Sequence, residues 1–313
     1  MSGSADPATE RAIERGRQTA RAAIASASIG TFLLILKVGA AWATASTAML
    51  GSLADTGLDV LASLVTLWSV RFAAVPADHD HRFGHGKAEA LAALFQVVLI
   101  SVSAIGIAIR AVQQLVHGSA TAEAGYGIGV SLIAIAATFV LLAIQRRVIA
   151  ATGSVAIQAD NIHYKSDLML NLAVIAALIC EQFLKFRGAD AVFGIAIALW
   201  LLWGAWGASM TAIDQLMDKE WPEERRQRFL ALAAQHPELR GIHDLRTRTS
   251  GSRDFVQFHV WVAPEMSVVD AHRVMDEIEV ELARSFPDVE ILIHPDPEGH
   301  VDLGTPASGT PVS

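Results

Sequence analysis

The chain has 313 residues, of which 52% are hydrophobic and 18% are charged, and its formal net charge is −8. This composition is too apolar for an ordinary soluble domain and indicates a membrane protein that lies in a lipid bilayer. The negative charge argues against nucleic acid as a partner. The single cysteine, Cys180, excludes an intramolecular disulfide and a metal site built only from cysteines. We expect it to be a small buried or lipid-facing hydrophobic residue.

The chain begins with a segment, 1–20, that mixes acidic and basic side chains and has no apolar core. We predict a solvated cytoplasmic tail that runs into a helix here, and not a signal peptide. A transmembrane helix needs about twenty mostly apolar residues. Six segments meet this need, and they lie roughly at 22–44, 47–72, 88–115, 124–145, 154–182 and 189–213. We therefore predict an all-α, six-helix transmembrane domain over residues 21–213.

The basic residues predict the orientation of these helices. They cluster before the first segment, between the second and third, and after the fourth, as at Arg11, Arg71 and Arg146. The opposite connections "WATAST" and "HGSATAEAG" contain no Lys or Arg, and only the turn at 183–188 has a pair. Because cytoplasmic loops carry the excess of basic residues, we expect both termini to be cytoplasmic in a cell (inner) membrane protein.

A second domain is predicted after about residue 214. "DKEWPEERRQRFLALAAQ" is an amphipathic helix, "IHDLRTRTS" and "FVQFHVWVA" alternate like strands, "SVVDAHRVMDEIEVELARSF" has helical spacing, and "VEILIHP" reads as a last strand. This order predicts a small cytoplasmic α+β domain over 214–300. The small and turn-forming residues at 301–313 predict a disordered tail.

Two pairs of polar residues lie inside the apolar segments. Asp55 and Asp59 are four residues apart in the second segment, and His163 and Asp167 are four apart in the fifth, so each pair shares one helix face. Each charge at mid-membrane costs about 2.5–3.5 kcal/mol on insertion scales, so such residues normally face a partner or a watery cavity. The pairs lie at similar depths in helices that run in opposite directions. Three carboxylates and one imidazole suit a tetrahedral Zn²⁺ site, and the alternative is a hydrogen-bonded cluster without metal.

Two more groups of potential ligands lie outside these segments. The connection "PADHDHRFGHGKAEA" contains Asp78, His81 and His85, a His-rich tract that either binds metal or is simply solvated. The C-terminal domain also suggests metal binding. On its strand "FVQFHVWV" the alternating Val256, Phe258, Val260 and Val262 are predicted to face the core, so that His259 faces outward. Its five candidate ligands are His243, His259, His272, His294 and Asp296.

Four motifs together resemble the cation diffusion facilitators, specifically their bacterial zinc-transporting branch. The motifs are "LADTGLD", "DHRFGHGKAEALAAL", "HYKSD" and "HDLRTRTSG…IHPDP", and the resemblance covers about residues 20–300. It implies a homodimer that exports divalent metal ions from the cytoplasm in exchange for protons. It also implies six transmembrane helices and a ferredoxin-like, metallochaperone-like cytoplasmic domain for metal binding and dimerisation.

The resemblance assigns roles to the candidate ligands. Asp55, Asp59, His163 and Asp167 become the transport site, and Asp78, His81 and His85 become a loop site. The five ligands of the C-terminal domain become a two-metal cluster near the dimer interface, with Asp296 as a bridge. The resemblance also implies a salt bridge between Lys87 and Asp218. Zinc would then be both the transported ion and a structural or regulatory one.

The predicted mechanism is alternating access, in which the metal displaces protons from the transport site and returning protons expel it. The sequence has no GxxxxGK[ST] motif, which agrees with proton-driven transport. Two rival functions are a membrane metal sensor that does not transport and an intramembrane aspartyl protease. Within the transporter interpretation, the metal could be Fe²⁺, Cd²⁺, Co²⁺ or Ni²⁺. An imidazole ligand favours Zn²⁺ and Cd²⁺ over Mn²⁺.

Overall fold

The computed structural model describes residues 7–44, 47–117, 127–184, 188–235, 237, 241–251 and 253–299. The tail predicted at 301–313 lies outside these residues. Six long helices come first in the chain, and they are α1 Pro7–Thr44, α2 Thr47–Ala73, α3 Ala88–His117, α4 Gly127–Thr152, α5 Val155–Leu184 and α6 Ala189–Leu216. A domain of two helices and three strands follows.

Helix α1 begins well before the predicted apolar segment. It starts at Pro7, and proline is well suited to the first helical position because its missing N–H would have no partner there. The segment that follows is rich in Ala, Glu, Arg and Gln, which are good helix formers. Helix α4 similarly continues to Thr152 and stops at Gly153, whose positive φ of 66° suits a glycine after a helix end.

Five of the six helices are long and apolar enough over their described residues to cross a membrane, namely α1, α2, α3, α4 and α6. Helix α5 has 30 residues, but several side chains in its second half lie outside the described set. The helical membrane domain of the predicted fold class is confirmed.

Small residues let the membrane helices approach closely. Ala22 and Ala23 of α1 and Ala156 of α5 are 0% exposed and pack with Val70 and Ile157. Large apolar side chains point away from the bundle, as Trp203 and Trp206 show with exposures of 75% and 66%. Close contact between small residues and an apolar outer surface are typical of helices packed in lipid.

The C-terminal domain has the predicted order of elements. These are α7 Glu223–Ala233, β1 Ile242–Ser250, β2 Arg253–Val262, α8 Val268–Ser285 and β3 Val289–Pro297. The sheet order is β1-β2-β3, with β1 antiparallel and β3 parallel to β2. Helix α8 forms the crossover that the parallel pair requires. Its N-terminus is capped by the Ser267 hydroxyl, which accepts a hydrogen bond from the Asp270 N–H.

One face of this sheet is covered by the two helices. Val256, Phe258 and Val260 are 0% exposed and pack against Phe229 of α7 and Val274 of α8. The predicted alternation of β2 is therefore confirmed. The other face presents His259 and the residues in register with it.

The chain forms two compact units. One contains the described residues of 15–76 and 87–213, and the other those of 1–14, 77–86 and 214–313. The α2–α3 connection at 77–86 thus clusters with the C-terminal domain, whereas the domain limits predicted from the sequence placed it with the membrane helices. Its Phe83 ring meets Phe255 of β2 edge-on with centroids 5.5 Å apart, and the Arg248 guanidinium lies 4.1 Å from the Phe83 centroid.

Candidate metal centres

Three potential ligands converge inside the helical unit. Asp59, His163 and Asp167 each offer one ligand atom, and these atoms lie within 4.8 Å of one another. The His163 Nε2 is 2.9 Å from Asp59 Oδ1 and 3.8 Å from Asp167 Oδ2. It is buried and has no hydrogen-bond partner of acceptable geometry, despite the short distance to Asp59. This imidazole nitrogen faces two carboxylates and has no satisfactory hydrogen bond to either of them. Such an arrangement is suited to a cation that all three residues would bind together.

The fourth residue predicted for this site, Asp55, stands apart from the three. It lies one turn before Asp59 on α2, and its side chain is exposed. It remains within electrostatic range of Asp167. A rotation of its side chain or a small shift of α2 would be needed to complete the predicted four-ligand set.

A buried polar network holds the first half of α5, on which His163 lies. Asp160 is 0% exposed and accepts hydrogen bonds from Gln96 Nε2 of α3 at 3.0 Å and from Gln145 Nε2 of α4 at 2.8 Å. Tyr164, next to His163, bonds the Ser63 hydroxyl of α2 at 3.0 Å and donates to the Ser26 carbonyl of α1. Groups from four other helices, α1 to α4, therefore hold α5 in place beside the site.

The loop residues Asp78, His81 and His85 form a second convergent group. One carboxylate oxygen of Asp78 lies 3.3 Å from His81 Nδ1, and the other lies 3.3 Å from His85 Nε2. The His81 backbone N–H donates to the Asp78 carboxylate at 2.7 Å, and this bond holds the pKa of Asp78 below its usual value. The neighbouring His79 and Asp80, for which no ligand role was predicted, pair only loosely with each other and are exposed.

The third group lies on the uncovered face of the sheet. His243, His259 and His294 are in register across β1, β2 and β3, so they form one row. Asp296, two residues further along β3, is 4% exposed. One of its oxygens is 3.2 Å from His243 Nε2 and 2.9 Å from His259 Nδ1, and the other is 3.3 Å from His294 Nε2. A buried carboxylate that contacts three imidazoles fits a zinc centre, because zinc takes nitrogen and oxygen ligands of this kind.

His272 is the one predicted ligand of this domain that is not brought to the row. It lies on α8, where it is largely exposed and pairs with Asp276 at 3.3 Å. Asp244 is a possible ligand that sequence reasoning missed, since its carboxylate is 3.8 Å from His259 Nε2. The predicted salt bridge partners Lys87 and Asp218 belong to different compact units, so their pairing stays a prediction. Within its own unit, Asp218 lies 3.7 Å from Arg248.

The described geometry agrees with comparisons to known proteins. The family model "Cation efflux transmembrane domain" matches residues 23–217, and the model "Cation efflux protein, cytoplasmic domain" matches residues 221–298. The chain belongs to the cation efflux family. The resemblance to cation diffusion facilitators is thereby confirmed, and the protein is a multi-pass membrane transporter that exports cations.

Several relatives match this cation efflux transporter over most of its length. The cation-efflux pump FieF of Klebsiella pneumoniae is 40% identical over 286 residues, which cover 91% of this chain and 95% of the relative. FieF of Escherichia coli O127:H6 is 40% identical over 282 residues, with 90% and 94% covered.

Solved structures match the cytoplasmic domain of this family. The zinc form of CzrB is 38% identical, covering 28% of this chain and 99% of that one, with a TM-score of 0.26. The metal-bound C-terminal domain of the CzcD transporter from Thermotoga maritima is 27% identical, covering 26% and 100%, with a TM-score of 0.25.

Sequence reasoning missed two polar groups in the membrane helices. One is the network around Asp160. The other is Lys37 of α1, whose Nζ donates to the Thr56 hydroxyl at 2.6 Å. The charged residues themselves could have been singled out by the signal that revealed Asp55 and Asp59, which is a charged residue in an apolar helix, whereas their hydrogen-bond partners on other helices could not.

Proposed function

We propose that this cation efflux transporter exports Zn²⁺ from the cytoplasm in exchange for protons, as a homodimer that works by alternating access. The convergence of Asp59, His163 and Asp167 carries this proposal, because their ligand atoms meet within 4.8 Å inside helices built for lipid. The mixed nitrogen and oxygen donors favour zinc or cadmium over harder ions such as Mn²⁺. The relatives named as the cation-efflux pump FieF support a role in metal efflux.

The transport cycle follows from the chemistry of the ligands. Zinc arrives from the cytoplasm and binds the His163 imidazole and the carboxylates of Asp59 and Asp167, while Asp55 rotates to become the fourth ligand. The ligands bind in their deprotonated forms, so zinc binding releases protons. The loaded site then opens to the opposite side, where incoming protons take the place of the metal. Histidine is suited to this exchange because its charge usually changes near neutral pH.

The other two centres would act as structural or regulatory zinc sites. The row of histidines around Asp296 would bind zinc and tie the three strands together at one edge. His272 is largely exposed on α8, so we propose that it serves this cluster from a second copy of the chain. The loop site would bind a further ion through Asp78, His81 and His85.

Flux measurements in proteoliposomes test this function. Wild-type protein is expected to move Zn²⁺, and the flux should increase when the receiving side is made acidic. Fe²⁺, Cd²⁺, Co²⁺ and Ni²⁺ are added in competition, so that the same assay ranks the metals. A metal sensor would bind zinc without flux, and this outcome would reject the transport proposal.

Proton exchange needs its own measurement. In detergent, a variant with the loop and cytoplasmic ligands replaced by alanine isolates the transport site. Zinc binding at pH 6.5 should then release protons into a weakly buffered solution. If no protons are released, the antiport mechanism is wrong even if zinc flux is observed.

A further inference from the structure

Lys37 places a positive charge beside the transport site. It lies in α1, within an apolar segment predicted to span the membrane, and its side chain is half-buried. A charged residue at such a position normally faces a partner of opposite charge or a water-filled cavity. Lys37 is therefore expected to have a function in the membrane domain.

The Lys37 ammonium group is held on the face of α2 that carries the metal ligands. Its Nζ donates a hydrogen bond of 2.6 Å to the hydroxyl of Thr56, which is 3% exposed. Thr56 follows Asp55 directly and precedes Asp59 by three residues, a spacing that makes side chains neighbours on a helix. The ammonium also lies within electrostatic range of Asp167 on α5. It thus lies beside the segment of α2 that carries Asp55 and Asp59, and within electrostatic range of a carboxylate on α5.

The charges of these groups can be counted. Asp55, Asp59 and Asp167 contribute −3 when ionised, His163 is neutral when it binds metal, and Lys37 contributes +1, so the metal-free site carries −2. A divalent ion brings this total to zero. Without Lys37, the same ion would leave one uncompensated negative charge in a region of low dielectric constant.

We propose that Lys37 is a fixed cation of the transport site, which matches the charge of the site to a divalent ion and weakens metal binding enough to permit release. This inference rests on the transport site proposed above. Lys37 is not a ligand and touches no metal, so it is a positioning residue that acts through the local electric field. A transporter must release its cargo on every cycle, and a neighbouring positive charge raises the dissociation rate constant of the bound ion.

The proposal predicts that neutral variants bind zinc more tightly. Lys37→Gln and Lys37→Met remove the charge, while Lys37→Arg keeps it. For one unit charge within about 10 Å of a divalent ion, removal should lower the Kd on the order of tenfold or more. The neutral variants should also transport zinc more slowly, because release is slowed. Loss of a merely structural contact would weaken binding instead, so the direction of the change separates the two roles.

The experiment uses the full-length protein in detergent, with the loop and cytoplasmic ligands replaced by alanine as above, so that titration with zinc at pH 8 reports the transport site. Co²⁺ absorption spectra verify that the ligand geometry is intact in each variant. Lys219→Gln is the matched control, because it removes an exposed lysine outside the membrane helices, where its Nζ pairs with Asp214. The Arg variant and the Lys219 control are expected within about threefold of the parent Kd.

Three results would overturn the role of Lys37. These are neutral variants that bind zinc no more tightly, an Arg variant that behaves like Gln, and loss of the Co²⁺ spectrum in both neutral variants, which would make Lys37 a structural residue. Absence of zinc binding in the parent protein itself would instead reject the transport site proposed above. The two failures are therefore distinguishable.

Discussion

At the scale of single residues, His163 is the side chain on which the proposed transport site depends. Its Nε2 faces Asp59 of α2 and Asp167 of its own helix, so an ion bound there would join two helices. An apolar bundle would not accumulate two carboxylates around a buried nitrogen unless a cation lowered their cost. The identity of each ligand should therefore have a separate, measurable effect.

Asp59→Ala is expected to abolish zinc transport. It removes one of the three convergent ligands and leaves a site that holds metal poorly, while the fold is retained because a charge that is costly in the membrane has been removed. Zinc flux in proteoliposomes measures the effect, and size-exclusion chromatography monitors the proposed dimer. Asp80→Ala is the control, since Asp80 is exposed and outside the metal groups. Near-normal flux in the Asp59 variant would remove this residue from the site.

His163→Asp is expected to change metal selectivity. An all-carboxylate site is harder and more negative, so preference for zinc should fall and some Mn²⁺ transport should appear. Competition flux with the two metals gives the ranking. If the ranking is the same as in the wild type, His163 is not a direct ligand.

The loop site should respond to pH through its histidines and not through its carboxylate. The hydrogen bond from the His81 N–H lowers the pKa of Asp78 below its usual 3.8, so its negative charge is retained above that value and is lost only as pH falls through the lowered pKa. Zinc binds imidazole ligands in their deprotonated form, so zinc affinity is expected to decline as pH falls while the carboxylate stays ionised. Titrations of wild type and His81→Asn measure this. A decline that is equally steep in the variant would contradict the assignment.

At the scale of elements, the sheet brings separate sequence positions together into one row of candidate metal ligands. His243, His259 and His294 come from three strands, and the register of the sheet aligns them. Asp296 then faces all three because it lies two residues after His294 on the same strand face.

This row predicts a stability effect in the isolated cytoplasmic domain. Residues 220–300 have their own apolar core, and zinc should raise the melting temperature of this fragment because it binds only the folded state. Asp296→Ala should remove most of that gain, whereas Glu265→Ala, which changes an exposed acid away from the row, should not. Calorimetry with and without zinc provides the measurement. An unchanged wild-type melting temperature would reject the cluster.

Local patterns predicted the elements of this fold well, because they depend on periodicity. Strand β1 was predicted at its observed limits, and the alternation of Val256, Phe258 and Val260 identified the core face. The start of α1 at Pro7 was missed, since the apolar segment shows where a helix meets lipid but not how far it continues into water. Lys37 and the network of Asp160 were also missed, because side-chain partners on other helices cannot be read from one helix.

At the scale of the whole molecule, the α2–α3 connection belongs to the C-terminal unit. Gly86 lies so close to the β1–β2 turn that an added Cβ would collide with the Ser250 carbonyl. The contact is between backbone atoms, so no side chain can rotate away to make room.

Gly86→Ala should therefore loosen the loop from the sheet. We expect weaker zinc binding at the loop site and faster proteolysis within 77–86, because the backbone must shift to admit the methyl group. Gly106→Ala is the control, since a Cβ there would meet nothing within 4 Å. Equal protease resistance in the two variants would show that this contact does not hold the loop.

The packing of Phe83 between Arg248 and Phe255 has a consequence for recombination between relatives. A chimera that takes only residues 214–313 from another family member would combine the ring at position 83 of one parent with the residues at positions 248 and 255 of the other. An exchange that also transfers 77–86 keeps both halves of the contact from the same parent. The cytoplasmic domain is thus encoded by two separate parts of the gene. Chimeras that exchange both parts together should be functional more often than chimeras that exchange only one.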